Sequence, residues 1–248
     1  MKIIAVYHFK GGVGKTATAV NLAYLAAQSG ARTLICDLDP QGSASFYFRV
    51  KAEFVAGAKG LLKGGGNLEK SLKGTDYQRL DLLPADFSFR NLDRKLDGLD
   101  SPKTRLGKVL GSLRDEYEYI ILDCPPNITI AAENVFHAAD FLLVPIIPTT
   151  LAVRSFAQLL LFFKKKRYDH KKIFAFYSMV ESRKLLHRES MAFVESRFKR
   201  VLHTRIPYAA EIERMGMHRQ PVPAFSPNSP AAAAYRSLWE EVEKIIKT

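Results

Sequence analysis

The stretch KGGVGKT, residues 10–16, constrains the fold of this chain more than any other feature. It follows the apolar run KIIAVYHF and precedes the helical pattern TATAVNLAYLAAQ, which indicates a glycine-rich turn between a buried strand and a helix. The backbone N–H groups of such a turn, together with the positive end of the helix dipole, close around phosphate oxygens. The sequence therefore predicts a phosphate-binding loop in an α/β fold.

The loop departs from the general pattern G-x-x-x-x-G-K-[ST] at its first position. Gly14, Lys15 and Thr16 match, but Phe9 stands where the first glycine belongs, and a second lysine, Lys10, follows it. We expect Lys15 to hold the β- and γ-phosphates of a nucleotide and Thr16 to ligate Mg²⁺. Nucleotide binding alone gives Lys10 no role.

Further apolar runs alternate with helical patterns along the chain. The runs are RTLICDLD, RLDLLPA, YEYIILDCPP, DFLLVPIIP and KIFAFYSMV, and the helical patterns span residues 103–116, 128–138, 153–166, 187–202 and 229–247. This alternation predicts a doubly wound, mostly parallel sheet flanked by helices, with residues 1–248 as a single domain built around the phosphate loop. Residues 50–76, with three consecutive glycines, break the pattern and predict a mobile surface excursion.

Acidic residues end two of the predicted strands. Asp123 closes YIILD, where a carboxylate at the carboxyl edge of a sheet can hold Mg²⁺. Asp37 and Asp39 end the strand that we expect to flank the phosphate loop on its other side. Asp39 lies further out of that strand, so it is the better candidate to orient an attacking water molecule.

Charge is distributed unevenly. Residues 1–150 carry 18 Lys and Arg against 16 Asp and Glu, whereas residues 151–248 carry 19 against 9. A one-sided basic surface indicates an acidic polymer or an anionic membrane as partner, while a solvated basic face remains an alternative. The two cysteines show no disulfide or metal-ligand pattern, and no apolar run could span a bilayer. We therefore expect a cytoplasmic protein.

The motifs KGGVGKT, DLDPQG and DCPP together resemble the deviant Walker ATPases of the ParA/MinD family. The similarity continues through VPIIPT to the closing SPAAAAYRSLWEEV. It implies a homodimer in the ATP state, with ATP and Mg²⁺ as ligands. Lys10 is similar to the signature lysine of the family, which reaches the nucleotide of a second subunit. A cation arriving from the partner would neutralise charge on the phosphates and couple hydrolysis to dimerisation.

The resemblance also assigns the remaining site residues. It implies catalytic roles for Lys10, Lys15, Asp39 and Asp123, metal contacts from Thr16, Asp39 and Asp123, and nucleotide contacts from Gly11, Gly12, Val13, Gly14, Lys15, Thr16, Ala17, Met179 and Pro207. Two departures concern the nucleotide. Ala17 replaces a threonine that is common in the family, and Tyr208 follows Pro207 where arginine is common.

The sequence favours the ParA-type branch over a MinD-like, membrane-associated positioning ATPase. The terminal helix SLWEEVEKIIKT has an apolar side, but Glu240, Glu241 and Glu243 would be repelled by anionic lipid, so we expect it to pack on the core. Residues 164–205 carry 13 Lys and Arg against 4 Asp and Glu, which is typical of a surface that contacts DNA phosphates. The candidates for DNA contacts are Lys171, Lys172, Arg183, Arg197, Lys199, Arg200, Arg205 and Arg214.

A ParA-type ATPase implies a defined set of partners and a location. We expect nonspecific DNA binding at the nucleoid, and a ParB-like or adaptor protein that stimulates hydrolysis. The cargo would be a plasmid, a chromosome or a protein assembly. Stable membrane association is not expected.

Overall fold

A computed structural model describes residues 1–247 of the chain. Its strands are β1 (Lys2–Val6), β2 (Thr33–Asp37), β3 (Lys73–Gly74), β4 (Leu80–Leu83), β5 (Tyr119–Asp123), β6 (Phe141–Ile146), β7 (Ile173–Val180) and β8 (Val201–Pro207). They form one sheet in the order β3-β4-β2-β5-β1-β6-β7-β8. The short β3 pairs antiparallel with β4, and every other pair is parallel. The prediction of a doubly wound, mostly parallel α/β sheet is confirmed.

Twelve α-helices are present in residues 1–247. They are α1 (Lys15–Gln28), α2 (Ser43–Tyr47), α3 (Gly57–Lys63), α4 (Gly66–Ser71), α5 (Leu92–Asp97), α6 (Arg105–Gly111), α7 (Ile130–Ala138), α8 (Thr150–Lys166), α9 (Leu185–Arg197), α10 (Ala210–His218), α11 (Val222–Phe225) and α12 (Pro230–Lys247). Helices cover both faces of the sheet. On each face, strand and helix residues together form a separate apolar cluster.

The side chains of β1 show how the two clusters arise. Successive strand residues point to opposite faces, so Ile3 and Ala5 enter one cluster while Ile4 and Val6 enter the other. Helices α3, α4 and α6 to α9 contribute to the first cluster, and α1 and α12 contribute to the second. Burial on both faces explains why the central strands appear in the sequence as continuous apolar runs.

Two features of the sheet differ from the sequence expectations. Strand β8 occupies Val201–Pro207, where the helical pattern of residues 187–202 predicts continued helix, and α9 ends at Arg197. Because β8 is an edge strand, only alternate residues such as Leu202 and Ile206 are buried. In addition, β2 does not flank β1: β5 lies between them, and β6 is the other neighbour of β1.

Residues 50–76, predicted to be a mobile surface excursion, contain two short helices with buried side chains. The segment forms α3 and α4, joined by a turn in which Gly64 and Gly65 have positive φ angles of 70° and 59°. Leu61 and Leu68 are buried in the first apolar cluster. The glycines therefore reverse the chain between two short helices, and the leucines bury both helices in the first apolar cluster, where α3 lies against α5 and α6.

Helix α12 packs on the core, as predicted. Leu238 and Val242 are buried, and the Trp239 ring meets Tyr119 of β5 edge-on, with 5.2 Å between the ring centroids. Glu241 accepts hydrogen bonds from the backbone N–H groups of His203 and Thr204. None of the helices within residues 1–247 is long and apolar enough to cross a membrane.

The packing of α3 predicts a measurable loss of stability for Leu61→Ala. Removing a fully buried leucine side chain should lower the free energy of unfolding by about 2–5 kcal/mol. The exposed neighbour Lys59 provides a matched control, since Lys59→Ala should change stability by less than about 0.5 kcal/mol. Urea unfolding of both variants measures the difference, and equal stabilities would show that Leu61 is not packed in the first apolar cluster.

Candidate functional site

The phosphate loop joins β1 to α1 through two left-handed glycines. Gly12 has a φ of 72° and Gly14, directly before the first residue of α1, has a φ of 87°. A Cβ atom on Gly14 would also lie 2.9 Å from the Oγ of the buried Ser178 in β7. Glycine is therefore required at residue 14 for two reasons: the backbone is left-handed there, and a side chain would collide with Ser178 of β7.

The two lysines of the loop differ in their surroundings. Lys15 is only 7% exposed, and its ammonium donates to the Lys10 carbonyl at 3.2 Å. Burial lowers the pKa of Lys15, and the carboxylate of Asp123 opposes this shift. Lys10 is half-buried. Its ammonium makes no hydrogen bond or ion pair within residues 1–247, so only one of the two cations is bound in place.

Asp123 lies at the centre of the carboxyl edge of the sheet. It aligns with Val6 of β1 on one side and with Asp37 of β2 on the other. Both carboxylate oxygens are buried and have no hydrogen-bond partner in the described part of the chain. Burial, followed by the proximity of Asp37, raises the pKa of Asp123 well above its usual value, and the Thr16 hydroxyl and Lys15 ammonium oppose the rise.

Asp37 and Asp39 occupy different environments. Asp37 is buried, and one carboxylate oxygen accepts bonds from the backbone N–H of Ser45 at 2.8 Å and from its hydroxyl at 2.7 Å. Burial raises the pKa of Asp37 to about 6. Asp39 is half-exposed, two residues beyond β2, and within residues 1–247 its carboxylate accepts only from the N–H of Gln41, at 3.0 Å. The Asp37 carboxylate is buried and hydrogen-bonded to Ser45, whereas the Asp39 carboxylate is partly exposed to solvent.

The donor set at this edge fits Mg²⁺. The Thr16 hydroxyl and the unpartnered Asp123 carboxylate are oxygen ligands of the kind that Mg²⁺ takes. No group of three or more His, Cys, Asp or Glu side chains that could hold a metal ion is found within residues 1–247. Mg²⁺ in nucleotide sites needs only one or two protein ligands, because phosphate oxygens and water complete its shell.

The predicted adenine-side residues lie at the ends of β7 and β8. Met179 has a φ of 55°, and its methyl carbon is 3.9 Å from the position of a Cβ on Gly14. Pro207 aligns with Val180 in the neighbouring strand. Ala17 is half-buried in the first turn of α1. The fold thus brings Met179 to the phosphate loop, with Pro207 on the adjacent strand.

The predicted DNA-contact residues divide between the carboxyl ends of the parallel strands, termed the carboxyl edge of the sheet, and their amino ends, termed the amino edge. Arg183 follows β7, and Arg214 lies in α10 after β8, so both are near the carboxyl edge that holds the phosphate loop. The amino edge, where β7 and β8 begin, carries Lys171, Lys172, Arg197, Lys199 and Arg200. Arg205 lies within the edge strand β8. The eight residues do not form one continuous surface on a single subunit.

Three of these basic residues have partners within the chain. The Lys172 ammonium caps the end of α7 by donating to the carbonyls of Phe136 and Ala139, and burial lowers its pKa. The Arg205 guanidinium lies 3.8 Å from the Glu195 carboxylate, and Arg197 stacks over the Phe193 ring at 3.8 Å. Lys172 is the least suited to DNA, because contact with a phosphate would break its bonds to the helix end.

Sequence reasoning did not select three residues that shape the site. His8 is fully buried and accepts a hydrogen bond from the backbone N–H of Lys10 at 3.0 Å. Ser45 holds Asp37, and Ser178 sets the space available at Gly14. A polar residue two positions before Lys10 at the end of an apolar strand was the available signal for His8. The roles of the two serines depend on contacts between distant segments.

Comparison with known proteins identifies the family. A family described as an AAA domain matches residues 1–176. The sporulation initiation inhibitor protein Soj of Bacillus subtilis is 31% identical over 97% of this chain and 98% of its own length. The chromosome-partitioning ATPase Soj of Thermus thermophilus is 33% identical over 96% of this chain and 94% of its own. This chain belongs to the ParA/Soj family of partition ATPases.

Solved structures with the same fold include other proteins besides ParA/Soj partition ATPases. Cobyrinic acid a,c-diamide synthase from Mycobacterium smegmatis, with bound ATP analog and magnesium, has a TM-score of 0.84 at 25% identity, covering 100% of this chain and 96% of that one. A plasmid partition protein from Borrelia burgdorferi has a TM-score of 0.78 at 21% identity, covering 98% of each chain. The second likeness shows that the fold is shared.

Alanine substitutions at two loop glycines of this ParA/Soj ATPase should show different losses of stability, because only one of the two glycines has a left-handed backbone. Gly14→Ala should destabilise the protein by about 1–3 kcal/mol, because alanine is strained at a φ of 87° and meets Ser178. Gly11 is the control, since its φ is ordinary and a Cβ there meets nothing within 4 Å. Thermal unfolding without nucleotide measures both, and equal loss in the two variants would contradict the described loop.

Proposed function

We propose that this partition ATPase dimerises when it binds ATP, binds DNA without sequence specificity as a dimer, and is released when a ParB-like or adaptor protein stimulates hydrolysis. The observation that carries the proposal is the contrast between the lysines of the loop. Lys15 is buried and bonded within its own subunit, whereas the half-buried Lys10 has an ammonium without a partner in residues 1–247. Lys10 is therefore available to the nucleotide of a second subunit.

The proposed chemistry assigns one task to each residue of the site. Backbone N–H groups of residues 11–16 and the Lys15 ammonium bind the phosphates of ATP. Thr16 and Asp123 hold Mg²⁺, which when bound offsets negative charge on the β- and γ-phosphate oxygens. Asp39 accepts a hydrogen bond from the attacking water and orients it. Lys10 of the opposite subunit adds positive charge at the phosphates, so hydrolysis requires the dimer.

Exposed apolar side chains at the carboxyl edge support a protein-binding face there. These residues follow the ends of parallel strands, so they share an edge with the phosphate loop. They include Phe87 after β4, Leu151 after β6, Leu185 after β7 and Tyr208 after β8, which are 57–64% exposed. Leu151, Leu185 and Tyr208 follow the adjacent strands β6, β7 and β8, and exposed apolar residues that lie together mark interaction sites in soluble proteins. A second subunit docking on this face would bring its Lys10 to the nucleotide.

The placement of the basic residues favours Arg183 and Arg214 as the DNA contacts that depend on ATP. In a dimer joined at the carboxyl edges, these arginines from the two subunits come close together, while the amino-edge group lies at the two far ends. Two weak phosphate-binding surfaces gain affinity when they are joined, because the second contact becomes intramolecular. DNA binding therefore increases with dimerisation.

Residues 1–248 are proposed to act as one ATPase domain located at the nucleoid. Stable membrane association is not proposed, because the apolar side of α12 is buried and Glu241 is bonded to β8. The nucleoid DNA then serves as the surface over which the ATPase moves a cargo, which is a plasmid, a chromosome or a protein assembly. ATP hydrolysis makes each binding event temporary.

Two substitutions test the nucleotide-dependent dimer. Asp39→Ala should retain ATP binding and accumulate as a dimer, because only water activation is lost, whereas Lys10→Ala should bind ATP as a monomer. Asp100→Ala, at an exposed aspartate outside the site, is the matched control and should behave as the wild-type protein. Analytical ultracentrifugation with ATP and Mg²⁺ gives the masses. Wild-type hydrolysis by Asp39→Ala would refute the assignment of the water-orienting residue.

Paired charge removals test the DNA surface. The double variant Arg183→Ala, Arg214→Ala should weaken ATP-dependent DNA binding and reduce the salt slope of the association constant by about one for each phosphate that is no longer neutralised. The variant Lys171→Ala, Lys199→Ala removes the same charge from the amino edge and should have a smaller effect. Fluorescence anisotropy from low to high salt measures both. DNA binding whose association constant does not change with salt concentration, or binding to anionic vesicles instead of DNA, would favour the MinD-like alternative.

A further inference from the structure

The side chain of His8 makes a local hydrogen bond with the backbone of the phosphate loop. Its ring is fully buried at the end of β1, and Nδ1 accepts the backbone N–H of Lys10 at 3.0 Å. A side chain that accepts from the N–H two residues later closes a tight turn, as Asn and Asp side chains do in Asx turns. Because Nδ1 is the acceptor, the neutral ring carries its proton on Nε2.

This bond completes a clamp on the Lys10 peptide groups. The N–H of Lys10 donates to His8, and its carbonyl accepts from the Lys15 ammonium at 3.2 Å. Both polar backbone atoms of Lys10 are thus fixed, while the side-chain ammonium has no partner in residues 1–247. A long lysine side chain has considerable rotamer freedom, so fixing its backbone limits the region that the ammonium can reach.

We propose that His8 is a positioning residue, whose ring nitrogen fixes the Lys10 backbone so that the Lys10 side chain is presented to the second subunit. This inference rests on the proposed function, because it assumes that Lys10 acts across the dimer. It adds a specific requirement, namely a hydrogen-bond acceptor at residue 8. His8 acts through Lys10 and does not itself contact the nucleotide.

The surroundings of His8 preserve the acceptor at neutral pH. A protonated ring would carry N–H groups on both nitrogens and could not accept from Lys10. Burial, together with the positive charges of Lys15 and Lys10, lowers the pKa of His8 to about 4. The lysines that the turn organises therefore also help to keep its acceptor in the required form.

The variants His8→Asn and His8→Leu provide a matched pair. The two side chains have nearly the same shape, but only asparagine offers an oxygen to the Lys10 N–H. His8→Leu leaves that N–H unsatisfied, which should reduce dimerisation and kcat by about tenfold. ATP affinity of the monomer should stay within about threefold of the wild-type value, because the phosphate cradle of residues 11–16 is retained. His8→Asn should restore dimerisation and kcat.

Two results would overturn the inference. One is wild-type dimerisation and kcat in His8→Leu, and the other is an equal loss in His8→Asn and His8→Leu. The parallel variant Lys10→Ala separates this inference from the proposed function. If Lys10→Ala dimerises and hydrolyses ATP normally, the cross-subunit role fails; if only Lys10→Ala is impaired, His8 alone is misassigned. In a Lys10→Ala background, His8→Leu should cause no further loss.

A spectroscopic measurement keeps the inference testable even if His8→Leu fails to fold. An N–H···N hydrogen bond transmits a scalar coupling between its two nitrogen atoms. In ¹⁵N-labelled wild-type protein, a coupling between the Lys10 amide nitrogen and His8 Nδ1 should be detected at neutral pH. It should disappear in folded His8→Asn, where oxygen replaces the accepting nitrogen. Absence of the coupling, or a ring proton on Nδ1, would contradict the proposed clamp.

Discussion

The position of β5 between β1 and β2 is the constraint on which the site depends. Its parallel pairing aligns Asp123 with Val6, the last residue of β1, and with Asp37 on the other side. The pairing continues beyond β2, because the N–H of Leu38 donates to the Asp123 carbonyl at 3.0 Å. One strand register therefore determines where a cationic loop and two acidic strand ends meet, and a slip of one residue would turn Asp123 to the opposite face.

The charges collected at this edge are only partly compensated by the protein. Burial opposes the charged forms of Lys15 and Asp123, and the Asp123 carboxylate has no hydrogen-bond partner in residues 1–247. Removing such groups from water costs several kcal/mol unless opposite charges approach them. ATP and Mg²⁺ supply those charges, so ligand binding and relief of unfavourable electrostatics are the same event. In the proposed dimer, Lys10, whose ammonium has no partner within residues 1–247, would extend this principle to the nucleotide of a second subunit.

Much of this arrangement could be predicted from local sequence. An apolar strand precedes the glycine turn KGGVGKT and a helical pattern follows it, and Asp123 ends another apolar run. Other features depend on contacts between distant segments. Strand β8 lies at the edge of the sheet, so its burial pattern is not that of a central strand. The role of Leu61 and Leu68 is evident only when α3 and α4 join the first apolar cluster. Lys172 resembles any basic surface residue until its bonds to α7 are seen. The position of Lys10 in the loop was evident, but its backbone clamp was not.

Subunit mixing tests most directly whether Lys10 acts on the nucleotide of the other subunit. Lys10→Ala keeps Lys15 but lacks the Lys10 ammonium, whereas Lys15→Ala lacks the Lys15 ammonium but keeps Lys10. The ATPase activity of their mixture should exceed the sum of the separate activities. Mixing Lys10→Ala with the double variant Lys10→Ala, Lys15→Ala should give no gain. If the first mixture is no more active than its components, while mass measurements show that the two variants do pair, Lys10 does not act across the dimer.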